Sequence, residues 1–175
     1  PDKSRPQIFW AACAARGGDA MIKIEIPGRE TLTLNHLVAD YNGTIARDGE
    51  LLEEVAGCFE ALRPHLGIYI LTADTYGTVR EQCKKLPVQV CTFPVTGAAE
   101  HKARFVRELG PGVVCLGNGF NDIGMFQAAD LAIAVLHREG LCAALLAYAD
   151  VLVSDPADGL GLLLHTDRLR ATLRS

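Results

Sequence analysis

The sequence predicts an α/β domain with Rossmann-like, three-layer architecture: a mostly parallel sheet with helices on both faces. Two observations carry this. Short apolar runs such as Ile68-Tyr69-Ile70-Leu71, Val113-Val114-Cys115-Leu116 and Leu131-Ala132-Ile133-Ala134-Val135 have the length and continuity of strands buried on both faces. Segments of helical periodicity separate them, which implies right-handed crossovers and parallel neighbours. Of 175 residues, 49% are hydrophobic and 22% charged, enough apolar material for one core and too little chain for a second large domain.

Residues 1–20 read as an N-terminal extension of unknown role, with a short apolar patch at Ile8-Phe9-Trp10-Ala11-Ala12-Cys13-Ala14-Ala15. The patch faintly resembles the end of a signal peptide but is short. Residues 21–175 form the domain. Ile22-Lys23-Ile24-Glu25-Ile26 alternates cleanly, and Pro27-Gly28-Arg29-Glu30 is a turn. The next strand then runs from Thr31 to Asp40, so an N-terminal β-hairpin leads into the central strand. The first arm is expected at an edge, with Lys23 and Glu25 facing water.

Ile45-Ala46-Arg47-Asp48-Gly49 is a second turn, and Glu50 to Leu62 is a helix carrying Leu51, Val55, Phe59 and Leu62 on one stripe. The strand Ile68–Leu71 ends in Thr72-Ala73-Asp74, and a helix from Thr75 to Leu86 follows, with Asp74 or Thr75 as N-cap. Val88–Cys91 is a strand, Ala98–Leu109 a helix carrying Lys102, and Val113–Leu116 a strand. After Gly117-Asn118-Gly119-Phe120-Asn121-Asp122 comes a helix through Ala128, then the strand Leu131–Val135, a helix to Ala149, the strand Val151–Val153 and a C-terminal helical segment.

The net charge of -4 gives no reason to expect nucleic acid or an anionic membrane surface as a partner. No apolar run of about 18 residues occurs: the tract from Leu131 to Val153 is broken by His137, Arg138, Glu139 and Asp150. Six cysteines (Cys13, Cys58, Cys83, Cys91, Cys115, Cys142) show no CxxC or zinc spacing and read as reduced, buried small hydrophobes, so a cytoplasmic location is expected. His65, His101, His137 and His165 have no ligand spacing and read as structural.

Polar groups stand at the ends of the apolar runs. Leu37-Val38-Ala39-Asp40 ends in a lone carboxylate followed by Tyr41-Asn42-Gly43-Thr44, and strand ends are where an open α/β sheet binds ligands. Taken singly, Thr72 and Asp74 read as helix caps, Lys102 as a solvated helix lysine, and Asn118 and Asn121 as turn residues. In order, however, Asp40-x-x-Gly43-Thr44, Thr72, Lys102 and Gly117-Asn118-Gly119-Phe120-Asn121-Asp122 resemble the four motifs of the haloacid dehalogenase-like (HAD) superfamily. The last is similar to the GDGxND motif shared by P-type ATPases and several HAD phosphatases, with Asn118 in place of the first Asp.

The resemblance implies phosphoryl transfer, in which Asp40 is the nucleophile and forms an aspartyl-phosphate. Thr72 and Lys102 would serve the phosphoryl oxygens, together with Asn42, Gly43, Ala73 and Asn121 around the phosphate. It further implies a Mg²⁺ cofactor on the Asp40 carboxylate, the Asn42 main-chain carbonyl and the Asn118 oxygen, with Asp122 holding a bound water. Most HAD phosphatases carry a second Asp where this chain has Asn42, which has no proton to trade near neutral pH. Loss of such a group costs about 10²- to 10⁴-fold in rate.

Asn42 and the Gly117–Asp122 loop together make the chain look like a detached P-type ATPase phosphorylation domain. Only 31 residues separate Asp40 from Thr72 and 29 separate Thr72 from Lys102, so no cap domain is expected. An open site would accept a phosphorylated small molecule or a phosphoprotein, or be closed by a neighbouring subunit in a homo-oligomer. Two other readings stand beside a slow phosphohydrolase: a phosphate-binding or phospho-accepting module without turnover, and a structural subunit whose apolar tail, Leu160 to Leu164, packs against a partner.

Overall fold

The computed structural model describes residues 21–74 and 78–175. The expectations for residues 1–20, and for Thr75 as a cap, lie outside them.

Six parallel strands form the main sheet: β3 (His36–Asp40), β6 (Gly67–Thr72), β7 (Gln89–Thr92), β8 (Val113–Gly117), β9 (Leu131–Val135) and β10 (Val151–Val153). Their spatial order is β10-β9-β8-β3-β6-β7. The chain leaves β3 on one side to build β6 and β7, then returns to build β8, β9 and β10 on the other. The direction of winding therefore reverses at the β3/β8 boundary, the point where an open α/β sheet splays its loops apart and leaves a crevice. Ala39 is in register with Leu116 across that boundary, and Asp40 with Leu71 on the other side.

Alternation sorts the strand residues into two layers. Leu37 and Ala39, Ile68 and Ile70, Val114 and Leu116, and Leu131, Ile133 and Val135 face α1 (Glu53–Leu62), α5 (Pro156–Leu164) and α6 (Thr166–Leu173), through Val55, Phe59, Leu160, Leu163 and Leu169. Val38, Tyr69, Leu71, Cys115, Ala132 and Ala134 face α3 (Ala98–Leu109) and α4 (Ile123–Ala128), through Phe105, Val106, Met125 and Phe126. α2 spans Thr78–Gln82. Cys83, Cys91 and Cys115 are buried and Cys58 and Cys142 partly so, all five free. No helix among the described residues is long and apolar enough to cross a membrane.

Several boundaries differ from expectation. The arm expected from Thr31 to Asp40 is broken at Asn35: β2 (Leu32–Leu34) pairs antiparallel with β1 (Ile22–Ile24) as a separate two-stranded sheet, and β3 enters the main sheet. The Asn35 and His36 N–H groups both bond the Gly112 carbonyl, which turns the chain from one sheet into the other. Lys23 and Glu25 are exposed as expected. The helix expected from Glu50 starts at Glu53, because Glu50–Leu51 (β5) pairs with Ala46–Arg47 (β4) in a small hairpin.

The helix expected up to Ala149 does not form. Gly140 at φ +86° closes a turn on His137, and Ala143–Tyr148 is a 3₁₀ segment in which only Leu145 is buried. The Gly140 turn and the bond from the Cys142 N–H to the Asn118 carbonyl, at 2.8 Å, commit the start of the segment to a non-helical path, and only a short 3₁₀ run follows. Residues Leu160 to Leu164 do not wait for a partner: Leu160 and Leu163 are buried in this chain's own core, on a helix packed against α1.

Candidate active site

Four chain segments meet at the carboxyl end of the sheet. Asp40 ends β3 with both carboxylate oxygens engaged: Lys102 Nζ donates to Oδ1 at 2.5 Å and the Thr44 hydroxyl lies 3.1 Å from Oδ2. Lys102 projects from α3, only 1% exposed, and donates also to Asp122 Oδ1 at 2.6 Å. A lysine on a helix of otherwise polar outer face is thus fully desolvated between two carboxylates, an arrangement that burial alone would penalise by several kcal/mol.

Asp122 is 0% exposed, and its second oxygen accepts the N–H groups of Asn118 (3.0 Å) and Gly119 (2.8 Å). The two glycines of the loop make this possible. A Cβ on Gly117 would stand 2.7 Å from the Asp122 carboxylate, and one on Gly119 would stand 2.6 Å from Asn121 Oδ1. Both oxygens of Asp122 are therefore taken up in anchoring Lys102 and the loop. Gly124 brings α4 against α3 closely enough that a Cβ there would lie 2.9 Å from the Ala103 methyl, beside Lys102 in sequence.

Across the β3/β8 crevice, Thr44 Oγ1 is 3.1 Å from both Asp40 Oδ2 and Asn118 Oδ1. A hydroxyl has one proton, so it satisfies one of these oxygens at a time and leaves the other with spare accepting capacity. Gly43 has φ +78°, and a Cβ on it would collide with the Asn118 amide, so glycine is required there on both counts. The turn is closed by the N–H groups of Thr44, Ile45 and Ala46 on the Tyr41 carbonyl, and the Asn42 side chain is exposed. Thr72 is buried at the end of β6, Ala73 and Asn121 are half-buried, and the Asp74 carboxylate accepts the Val79 N–H at 3.0 Å.

Charge in the cluster is unbalanced: one ammonium serves two carboxylates. Burial raises the Asp40 pKa to about 6, Lys102 pulling it down and Asp122 pushing it up. Burial acts to lower the Lys102 pKa, but the Asp40 and Asp122 carboxylates outweigh it and hold the ammonium above its ordinary value.

The donor chemistry fits a hard cation. Asp40 Oδ2 and Asn118 Oδ1 converge on one point, the Thr44 hydroxyl, and both are oxygens. Oxygen donors are the ones Mg²⁺ takes, with waters completing its shell; no three His, Cys, Asp or Glu side chains gather into a metal-holding group among the described residues. Two participants lie outside the set of site residues that the sequence singles out. Thr44 reads there only as a hydroxyl, and Gly140, whose carbonyl accepts Asn118 Nδ2 at 3.0 Å, carries no sequence signal because its contribution is a main-chain oxygen 22 residues away.

No family model matches the chain. An uncharacterized protein of Methanocaldococcus jannaschii, MJ0073, is 40% identical over 62 residues, which is 35% of this chain and 67% of that protein. Among solved structures, a HAD superfamily (subfamily III A) hydrolase of Legionella pneumophila superposes with a TM-score of 0.64 at 15% identity, over 80% of this chain and 87% of the other. The 3-deoxy-D-manno-octulosonate 8-phosphate phosphatase of Moraxella catarrhalis, solved with magnesium and phosphate ions, gives 0.61 at 17% identity over 79% and 92%. A zinc-transporting PIB-type ATPase gives 0.58 at 23% identity, and the match covers 70% of this chain but only 20% of that one.

Proposed function

We propose that this chain, which has the HAD-like fold and resembles the phosphorylation domain of P-type ATPases, is a Mg²⁺-dependent phosphohydrolase working through Asp40. The observation that carries the proposal is the Lys102 ammonium buried between Asp40 and Asp122 at the switch point of an open sheet. A structural ion pair could be replaced by apolar residues at little loss, whereas a buried, oriented carboxylate beside a fixed positive charge is what attack on a phosphoryl group requires.

In this reading Asp40 attacks phosphorus in line with the leaving oxygen, forming an acyl phosphate that water then hydrolyses. Lys102 keeps the carboxylate oriented and offsets charge on the phosphoryl oxygens, and Thr72 Oγ1 with the Ala73 N–H would donate to those oxygens, while Gly43, whose own N–H is held by the Ala46 carbonyl at 2.9 Å, would serve by the tight turn that lets the main chain approach them. Asn121 stands at the same rim. Asp40, the Asn42 carbonyl and Asn118 would hold Mg²⁺ through oxygen, with Asp122 reaching it only through water or by ordering the loop. The bound cation would neutralise phosphoryl charge.

Asn42 leaves the departing alcohol to be protonated by solvent, so turnover is slow and the best substrates carry leaving groups that need no proton. Among the described residues, the segments linking Asp40 to Thr72 and Thr72 to Lys102 hold the β4–β5 hairpin, α1, β6, α2, β7 and the first turn of α3, with no inserted domain over the site, which would then accept a phosphorylated small molecule, a phosphoprotein or a neighbouring subunit.

Phosphate release from p-nitrophenyl phosphate, acetyl phosphate and ATP, with and without Mg²⁺, tests this. Acetyl phosphate is expected to be turned over fastest and only with Mg²⁺; activity that survives Asp40→Asn defeats the proposal. Asn42→Asp should accelerate alkyl phosphate hydrolysis by about 10²- to 10⁴-fold. The exposed, proton-less Asn42 also favours a second reading, a phospho-accepting module without turnover, which predicts Mg²⁺-dependent binding of beryllofluoride and no steady-state hydrolysis.

A further inference from the structure

We propose that the His137–Gly140 turn is a positioning element for the active site, selecting Asn at position 118 and aiming its side-chain oxygen at Asp40. The inference rests on the phosphohydrolase reading only for what that oxygen is aimed at. Asn118 is gripped twice by one short segment: its main-chain carbonyl accepts the Cys142 N–H at 2.8 Å, and its Nδ2 donates to the Gly140 carbonyl at 3.0 Å. A carbonyl can only accept, so the amide can present only its nitrogen to Gly140 and must turn Oδ1 to the other side, where Thr44 and Asp40 lie.

The turn itself is tied at both ends. The Leu136 N–H bonds the Val153 carbonyl, the Gly140 N–H closes on His137, and Glu139 Oε1 accepts the Asp48 N–H at 2.7 Å, which links the turn to the β4–β5 hairpin. Gly140 sits at φ +86°, a conformation that side-chain-bearing residues adopt only with strain.

An aspartate at 118 would set a carboxylate oxygen against the Gly140 carbonyl and close to Asp40 Oδ2, with no donor on the Gly140 side. Its extra charge would be repelled at one end where the amide is held at both. The third oxygen of the cation site is in this way placed by geometry instead of charge, and the turn does the placing.

The test reads the Asn118 side-chain amide by ¹⁵N NMR in the metal-free full chain, assigned by its disappearance in Asn118→Ala. One of its two protons is expected to exchange slowly compared with those of exposed Asn42. Gly140→Val should abolish that protection and weaken Mg²⁺ binding, followed by calorimetry, about tenfold or more. In parallel, metal-free Asn118→Asp should melt below Asn118→Ala, although it restores the usual charge.

An Asn118 amide exchanging as fast as that of Asn42 overturns the inference, and so does Asn118→Asp melting at or above Asn118→Ala. If Gly140→Val does not fold, Glu139→Ala takes its place and should lower the protection without removing it; unchanged protection counts against the turn. Absence of any Mg²⁺ response in the unmodified chain would sink the phosphohydrolase reading instead, because the amide signal and the metal-free melts are read without metal.

Discussion

Lys102 shares one ammonium between two carboxylates, and the sharing governs how Asp40 titrates. With a pKa near 6 in the folded chain against an ordinary 3.8, Asp40 holds a proton between about pH 4 and 6 that the unfolded chain has already released. Metal-free stability should therefore fall as pH rises through that window, and Asp40→Asn should flatten the slope in denaturant melts. Lys102 gives a slope of the same sign at the alkaline end: its raised pKa stabilises the fold at pH values below the ordinary lysine value of 10.5, and the contribution fades as pH climbs through the higher folded value. Lys102→Met strands two buried carboxylates and should cost about 3–5 kcal/mol at neutral pH, with part of the loss recovered at pH 5 as Asp40 takes up a proton.

Between elements, the decisive contact is α3 against α4. Gly124 allows the two helices to approach until its Cα faces the Ala103 methyl, and Lys102 precedes Ala103 while Asp122 precedes α4. Gly124→Leu should push the helices apart, cost about 1–3 kcal/mol, and lower activity more than the stability loss explains, because it separates the ammonium from one of its anchors. The comparison is a costlier core change on the other face: Phe59→Ala is expected to cost about 3–5 kcal/mol in a melt while leaving the activity of the folded fraction unchanged, since α1 carries no site residue.

For the molecule as a whole, the reversal of winding between β3 and β8 creates the crevice, and the turn after β9 and the β4–β5 hairpin frame its mouth. A cation bound there belongs to the folded state alone. Mg²⁺ at one hundred times its dissociation constant should raise stability by about 2.7 kcal/mol, and chelation should reverse it. An Asp40→Asn chain should lose most of this gain, which a thermal melt with and without Mg²⁺ would read directly.

The strands and their polar ends were legible in the sequence because each depends on local pattern: continuous apolar runs mark strands buried on both faces, and a carboxylate or hydroxyl closing such a run has only the crevice side to occupy. Asp40, Thr72 and the Asn118–Asp122 loop could be placed at strand ends on that basis. Local pattern was silent on contacts made by main chain or across the sheet. The break at Asn35 depends on the Gly112 carbonyl, the missing helix after Val135 on the Gly140 turn and the hold of the Asn118 carbonyl on the Cys142 N–H, and the grip on the Asn118 side chain on the carbonyl of Gly140. Lys102 shows the division most plainly. Its residue type and helix could be read from the chain, but only the approach of α3 to β3 and α4 removed it from water and set it between two anions, because desolvation is a property of the packed molecule and not of any segment of it.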